Sequence, residues 1–470
     1  MFFAQLSKAA GGSKDPRHPQ NNVQANKTVY KDAPKRPRPQ KSETPKKKRI
    51  TSSSGSPKES PKSEVASPLP DSREASVSLT APPVIDSQRA VFASLSYDDG
   101  QQASSRVCSG AALVMKSPKL YKPLFDSAED SATLSLPYGT EEYNLVYPKA
   151  EDEYSPNVEI ETVMEMVAGY FVSPEHGLEI KDPDMKDCIV RRLRRALKAN
   201  DKEKYVRSIE EFNSLLEKAR ESGEVEASIK KIKSPLEARL VTALLNQVYT
   251  RVVSPRANEL RNYKAFSNNV YGELLPPFAT RIFKQTNLTS ASVFVDLGSG
   301  VGNCVLQAAL EIGCESWGCE MMPAASQYAS EQQEELEDRA KMYNLNLGPI
   351  KLLSDDFVQN PDIQKTMKRA DVVLVNNYAF DAKLNGNLVD MFLDLKEGAK
   401  IVSLKSFVPQ DHVISEANIE SPLNILSVET KRYPSGHVSW QPNGGVYYIS
   451  TIDRSRLALA YSRRTPGVNN

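Results

Sequence analysis

The sequence predicts an α/β fold: a largely parallel seven-stranded sheet, preceded by a helical lobe and by a basic, disordered head. Three observations carry this expectation. From Tyr271 onward, apolar runs of strand length alternate with helical patterns, the signature of strands linked by helical crossovers. Between about Met115 and Lys264 the apolar residues recur mostly at helical spacing. From Gly11 to about Pro83, Lys, Pro, Ser, Gln and Asn crowd out apolar residues, and such a segment cannot bury enough surface to offset chain entropy. The expected regions are 1–114, 115–264 and 265–470.

Charge sets the head apart as clearly as composition does. Met1–Lys62 holds 15 Lys and Arg against 4 Asp and Glu, a net of +11, whereas the rest of the chain is −10. A dense basic segment with no interleaved apolar anchor suits a polyanion, nucleic acid before a membrane surface. Lys46, Lys47, Lys48 and Arg49 form a candidate nuclear-import cluster. Ser56, Ser60 and Ser67 each precede proline, and phosphorylation there would lower the positive charge. The plainer alternative is a solvated tail that only carries an import signal.

In the lobe, short extended pieces are expected up to Tyr147, followed by helices over Val158–Val172, Asp187–Asp201, Val206–Gly223 and Pro235–Val253. Arg191, Arg192, Arg194 and Arg195 lie opposite Ile189, Val190, Leu193 and Leu197. A solvated face accounts for them better than a nucleic-acid contact does.

The seven strands fall at Ser292–Gly298, Cys314–Glu320, Ile350–Asp356, Ala370–Asn377, Ala399–Lys405, Asn424–Tyr433 and Val446–Asp453. Helices begin near Gly272, Gly302, Ala324, Pro361 and Leu384. No helical pattern joins the last two strands, so they should form a hairpin at one edge of an otherwise parallel sheet.

Several classes of function are disfavoured. Cys108, Cys188, Cys304, Cys314 and Cys319 form no CxxC pair, and the four histidines form no HExxH motif, which argues against a metal site. The apolar start is too short for a signal peptide, and no later run reaches the roughly 18 apolar residues of a membrane span. A soluble protein of a reducing compartment is expected.

The chemistry concentrates at strand ends. The run Phe294, Val295 ends at Asp296 and Leu297; then Gly298, Ser299, Gly300, Val301 and Gly302 lead to Asn303 and an apolar helix. Glycines there admit positive φ and close backbone approach to a ligand, and the helix start offers free N–H groups. A dinucleotide fingerprint competes, but its third small residue is replaced by Asn303. Asp296 suits the ammonium and sulfonium charges of S-adenosylmethionine better than a pyrophosphate. Glu320 ends the second strand, where a carboxylate can accept two ribose hydroxyls. The third strand ends at Asp355, Asp356 and Phe357, an acid for an adenine amino group and a ring to stack on it; the fourth ends at Asn376 and Asn377, with Tyr378 and Phe380 after it.

These residues bring the chain to a known pattern. AFSNNVYGEL (Ala265–Leu274), FVDLGSGVGN, the spaced Glu320, DDF (Asp355–Phe357), VNNYAF (Val375–Phe380), IVSLKSF (Ile401–Phe407) and VSWQPNGGVYYISTIDR (Val438–Arg454) resemble the Dot (disruptor of telomeric silencing) family of non-SET histone H3 lysine methyltransferases, fungal type. The resemblance implies a class I methyltransferase (Rossmann-like) sheet, S-adenosyl-L-methionine as cofactor, and transfer of one to three methyl groups to a lysine on the core of nucleosomal H3. It implies that Tyr271, Gly272, Glu273 and Leu274 close over the cofactor's methionine end. Phe266, Asn376, Phe380, Trp440 and Tyr447 would line a lysine channel. It further implies a nuclear protein of chromatin regulation, telomeric silencing and the DNA damage checkpoint. Its partners would be the nucleosome, with DNA met by the basic head, and a ubiquitylated histone. Leu274 and Asn303 depart from the animal members, which carry other polar side chains there. A methyltransferase for arginine or a small molecule, and a non-catalytic chromatin-binding module, are the alternatives; the first lacks the paired hairpin glutamates that arginine methylation uses.

Overall fold

The structure, a computed structural model, describes residues 86–93, 109–126, 130–150, 153–184, 187–261 and 272–464. The basic head up to residue 85, with its import cluster and Ser-Pro steps, lies outside the described residues, as do Phe266 and Tyr271. Two short pieces of the region expected to stay unfolded are placed on the body. Residues 86–93 form a strap: Arg89 donates to the carbonyls of Leu310 and Glu311, both at 2.6 Å, and Phe92 bridges to Leu345. Helix α1 (Gly110–Lys116) is capped by Ser109, whose side chain accepts from the Ala112 N–H. A low-complexity average hides such anchors, because a single arginine or cap residue carries each.

The lobe opens with β1 (Tyr121–Pro123), the hairpin β2 (Ser131–Leu136) and β3 (Gly139–Asn144), and β4 (Val146–Pro148), which pairs with β1. Six helices follow: α2 (Pro156–Tyr170), α3 (Pro174–Ile180), α4 (Ile189–Lys198), α5 (Lys202–Glu221), α6 (Glu224–Ile229) and α7 (Ala238–Val252). Their apolar faces meet in one core, with Ile160, Val163 and Val167 of α2, Phe212 and Leu216 of α5, and Leu240 and Leu244 of α7 against Leu134 and Leu136. Pro at the first turn of α2 and α3 and the Asp201 cap of α5 mark starts where the sequence pattern changes. The arginine face of α4 is solvated and ion-paired, Arg192 to Asp187 and Glu211, and Arg194 to Glu161.

The remaining elements are α8 (Pro276–Thr286), β5 (Val293–Leu297), α9 (Asn303–Gln307) with a π turn over Ala308–Ile312, β6 (Glu315–Glu320), α10 (Pro323–Met342), β7 (Ile350–Ser354), α11 (Pro361–Met367), β8 (Val372–Val375), α12 (Ala382–Phe392), β9 (Lys400–Ser403), β10 (Leu426–Tyr433), β11 (Gly445–Ile452) and α13 (Ser455–Arg464). One seven-stranded sheet runs β10-β11-β9-β8-β5-β6-β7. Its central pairs are parallel, and β11 is antiparallel to both β9 and β10. The expected edge hairpin is therefore present. The order reverses between β5 and β8, the point at which open α/β sheets leave a crevice beyond their strand ends. Helix α8 starts four residues later than its pattern suggests. Residues 272–275 instead run extended beside 437–439, with Leu275 N–H on the His437 carbonyl at 2.9 Å and Leu274 bridging Val438.

A buried ion cluster ties the lobe to the sheet. Arg251 of α7 and Arg339 of α10 have no exposed side-chain surface and sit among Glu141 of β3, Glu159 of α2 and Glu335 of α10. Arg251 Nη1 lies 2.6 Å from Glu141, Arg339 Nη2 2.8 Å from its other oxygen, and Arg339 Nε 2.9 Å from Glu335; Arg251 also binds Glu159. Burial alone would raise the Glu141 carboxyl, but the two guanidiniums outweigh it and bring it down to about 2. Among the described residues no helix is long and apolar enough to cross a membrane.

Candidate active site

Strand β5 delivers Asp296 to the crevice and then turns through three glycines with positive φ, Gly298 at 83°, Gly300 at 55° and Gly302 at 84°. At Gly302, the N-cap of α9, the positive φ demands glycine, and a Cβ would also crowd Ala329 at 3.3 Å. Glu320, at the end of β6, accepts from the Gly300 N–H at 2.9 Å and the Met322 N–H at 2.8 Å. One carboxylate thus fixes both the glycine loop and the turn into α10. Asn303 is anchored by Gln332, whose amide donates to it at 3.2 Å and to the Val301 carbonyl at 2.6 Å.

The opposite wall is the 272–275 segment. The Gly272 carbonyl accepts from Asn376 Nδ2 at 3.1 Å, and a Cβ on Gly272 would lie 2.7 Å from the Trp440 ring. Glu273 is buried; its N–H donates to Ser439 Oγ at 2.9 Å, and its carboxylate accepts from Tyr249 of α7 at 2.9 Å. Beyond β7, Asp356 accepts from the Val358 N–H at 2.9 Å, and Phe357 stacks against Phe380 with ring centroids 6.4 Å apart.

Between these walls lies a cavity of about 440 Å3, within the roughly 300–1,000 Å3 of small-ligand sites. Gly272, Glu273, Leu274, Asp296, Gly298, Ser299, Gly300, Val301, Asn303, Glu320, Asp356, Phe357, Asn376 and Phe380 all line it, as read from the sequence. Phe294, Val295 and Leu297 do not; they are buried strand core, and Gly302 serves the helix start. Trp440 stands behind Gly272. Tyr447 is fully buried outside the cavity lining, its ring edge-on to Phe278 at 5.0 Å and its hydroxyl on Gln285 of α8. The sequence reading missed Cys304, Met321, Met322, Leu374 and Leu384, which also line the cavity. Leu374 was readable, since it precedes Asn376 by two on a strand and so shares its face. Leu384 reaches the site only through the turn into α12, which no local pattern announces.

The electrostatics of the cavity are one-sided. Four carboxylates line it, and no Lys, Arg or His does among the described residues. Burial, with the like charge of Glu320, pushes the Asp296 carboxyl up to about 8, and burial raises Glu320 as well. Such a site stabilises a cationic ligand and offers a polyphosphate no cationic side chain. S-adenosylmethionine fits this donor set: an ammonium and a sulfonium for the acids, ribose hydroxyls for Glu320, and an adenine for Phe357.

Fold and site together define a methyltransferase of the class that holds S-adenosylmethionine at the ends of a seven-stranded sheet. A model of the family described as "Histone methylation protein DOT1" matches residues 249–452. A Yarrowia lipolytica protein named "Histone-lysine N-methyltransferase, H3 lysine-79 specific" is 43% identical across 98% of this chain and 99% of its own length. Proteins of the same name from Emericella nidulans and Aspergillus fumigatus are each 44% identical, over 73% and 72% of this chain and 69% and 67% of theirs. The chain belongs to the DOT1 family of histone methylation proteins.

Proposed function

We propose that this enzyme methylates lysine 79 of histone H3 on the nucleosome, with S-adenosylmethionine as methyl donor. The observation that carries the proposal is Asn376 at the wall of an acid-lined, cation-free cavity. Its Nδ2 is held by Gly272, and its buried Oδ1 has no partner among the described residues. A buried amide oxygen left without a donor is an acceptor waiting for one, and a lysine amine supplies it. The relatives' shared name supports the choice of substrate.

The cofactor supplies a methyl group on a positively charged sulfur. The chain's own residues do the rest by alignment. Asp296 and Glu320 hold the cationic ligand, Phe357 and Phe380 close over its flat end, and Asn376 orients the incoming amine. That amine must be neutral to react; with a pKa near 10.4, deprotonation at pH 7 costs about 4–5 kcal/mol. An apolar approach beside a sulfonium lowers this cost by desolvation and like charge. Trp440 and Phe266 suit such an approach, and Tyr271 suits closure over the cofactor. Asn376 carries no charge and is a positioning acceptor, not a base. The basic head suits nucleosomal DNA, and its Lys46–Arg49 cluster suits nuclear import. The proposal extends, on the resemblance alone, to a ubiquitylated histone as a further partner and to a role in telomeric silencing.

Mass spectrometry of nucleosomes incubated with protein and cofactor tests the reading. Methylation at H3 lysine 79 is expected from the wild type, and Asn376→Ala should bind cofactor normally yet lose most activity. Unmodified nucleosomes, or methyl groups on arginine instead, would overturn it.

A further inference from the structure

The paired asparagines after β8 divide their work. Asn376 faces the cavity, and Asn377, 1% exposed, points away from it into the protein. Asn377 Oδ1 accepts from the Leu404 N–H at 3.1 Å and the Lys405 N–H at 2.8 Å, beyond the end of β9. Its Nδ2 donates to the Lys405 carbonyl and to Asn385 Oδ1 of α12, both at 3.1 Å. Backbone N–H groups can only donate, so the amide has one permitted orientation. All four of its ordinary hydrogen-bonding positions are used. An asparagine that merely favours a turn bonds its own neighbours; this one bonds residues 28 and 8 positions away.

Two residues that line the cavity, Asn376 and Phe380, stand beside this amide. Asn376 is its covalent neighbour. Phe380 donates its N–H to the Asn377 main-chain carbonyl at 3.3 Å, and its own carbonyl accepts from Asn385 Nδ2, of the side chain that Asn377 Nδ2 holds, at 3.2 Å. The Phe380 ring then lies against Phe357. We propose that Asn377 is a positioning residue for methyl transfer, clamping the ends of β8 and β9 and the start of α12 so that the Asn376 acceptor and the Phe380 ring keep a fixed relation. This rests on the function proposed above. Because Asn377 touches neither reactant, its loss should misalign them without abolishing the binding of either.

Asn377→Asp tests this. The carboxylate still accepts from both N–H groups but turns an oxygen toward two acceptors, the Lys405 carbonyl and Asn385 Oδ1. A misplacement of this kind should lower kcat on nucleosomes by about a hundredfold. KM for nucleosomes and Kd for S-adenosylmethionine should each move by less than about threefold, the pattern of an alignment lost only in the transition state. Asn385→Ala removes one of the four bonds of Asn377, together with the Asn385 donations to the Phe380 and Asp381 carbonyls, and serves if the first variant fails to fold; its kcat should fall by about fivefold to tenfold with the same unchanged Kd. A folded Asn377→Asp protein whose kcat stays within about threefold of wild type, or whose cofactor affinity falls in step with turnover, overturns the inference. Wild-type protein inactive on nucleosomes overturns the functional reading itself, and active wild type with indifferent variants overturns this inference alone.

Discussion

The cluster around Arg251 and Arg339 and the cavity around Asp296 both bury carboxylates together, and they meet the cost of doing so in opposite ways. In the cluster, three glutamates enclose two guanidiniums, and Glu141 is held at about 2. In the cavity no cation faces Asp296 among the described lining residues, and it is pushed up to about 8. Burying a charge is costly unless it is paired. The cluster is paired from within and serves the fold; the cavity lacks its counter-charge, and a cationic ligand supplies it. Charge compensation separates Glu141 from Asp296, although burial still raises Glu335 within the cluster.

The strongest attack on this contrast is Arg251→Met, which leaves Glu141 and Glu159 short of their counter-ion. Removing one partner of a buried pair costs about 3–5 kcal/mol, so thermal unfolding should drop steeply or the protein should be insoluble; a Tm near wild type would mean the cluster is not integral to the fold. Asp296→Asn should act in the reverse sense, leaving the free protein at least as stable as wild type and weakening cofactor binding. Losing a charge-assisted contact costs about 1.5–3 kcal/mol, roughly ten- to hundredfold in Kd by calorimetry.

The same residue sets a pH dependence. With its folded value raised above the ordinary 3.8, Asp296 favours the folded, ligand-free protein fully below that value, and the contribution is lost as pH rises through about 8. A bound cation favours the ionised form, so cofactor affinity should rise with pH toward about 8, by at most tenfold per unit for each proton released. Glu320 adds to the slope, and Asp296→Asn should flatten it; a wild-type affinity that ignores pH would refute the linkage. The smallest effect belongs to the solvated pairs of α4. Arg194→Ala should cost under about 1 kcal/mol, and DNA affinity measured by titration should not change; a marked loss would restore the nucleic-acid reading of that face.

Much of the site was legible because its signals are local. The positive φ at Gly298 and Gly302 needs glycine wherever that loop occurs, and Glu320 and Asp356 sit where apolar runs end. The two asparagines, by contrast, look alike in the chain. Nothing nearby tells that Asn376 keeps a free oxygen while Asn377 spends its whole amide on β9 and α12. Arg251, Glu141 and Glu335 likewise read as ordinary helix and strand charges, and the pairing of Glu141 with Arg339 spans 198 residues. The strap at Arg89 was concealed by the composition around it.

By itself, the sequence determined the seven strands, their alternation with helices, the edge hairpin and the glycine loop, since period, turn chemistry and chain connectivity act over a few residues. Tertiary structure alone decided which buried charges are cancelled and which are left for a ligand. That outcome depends on which distant group arrives within hydrogen-bond reach, and no local pattern records it.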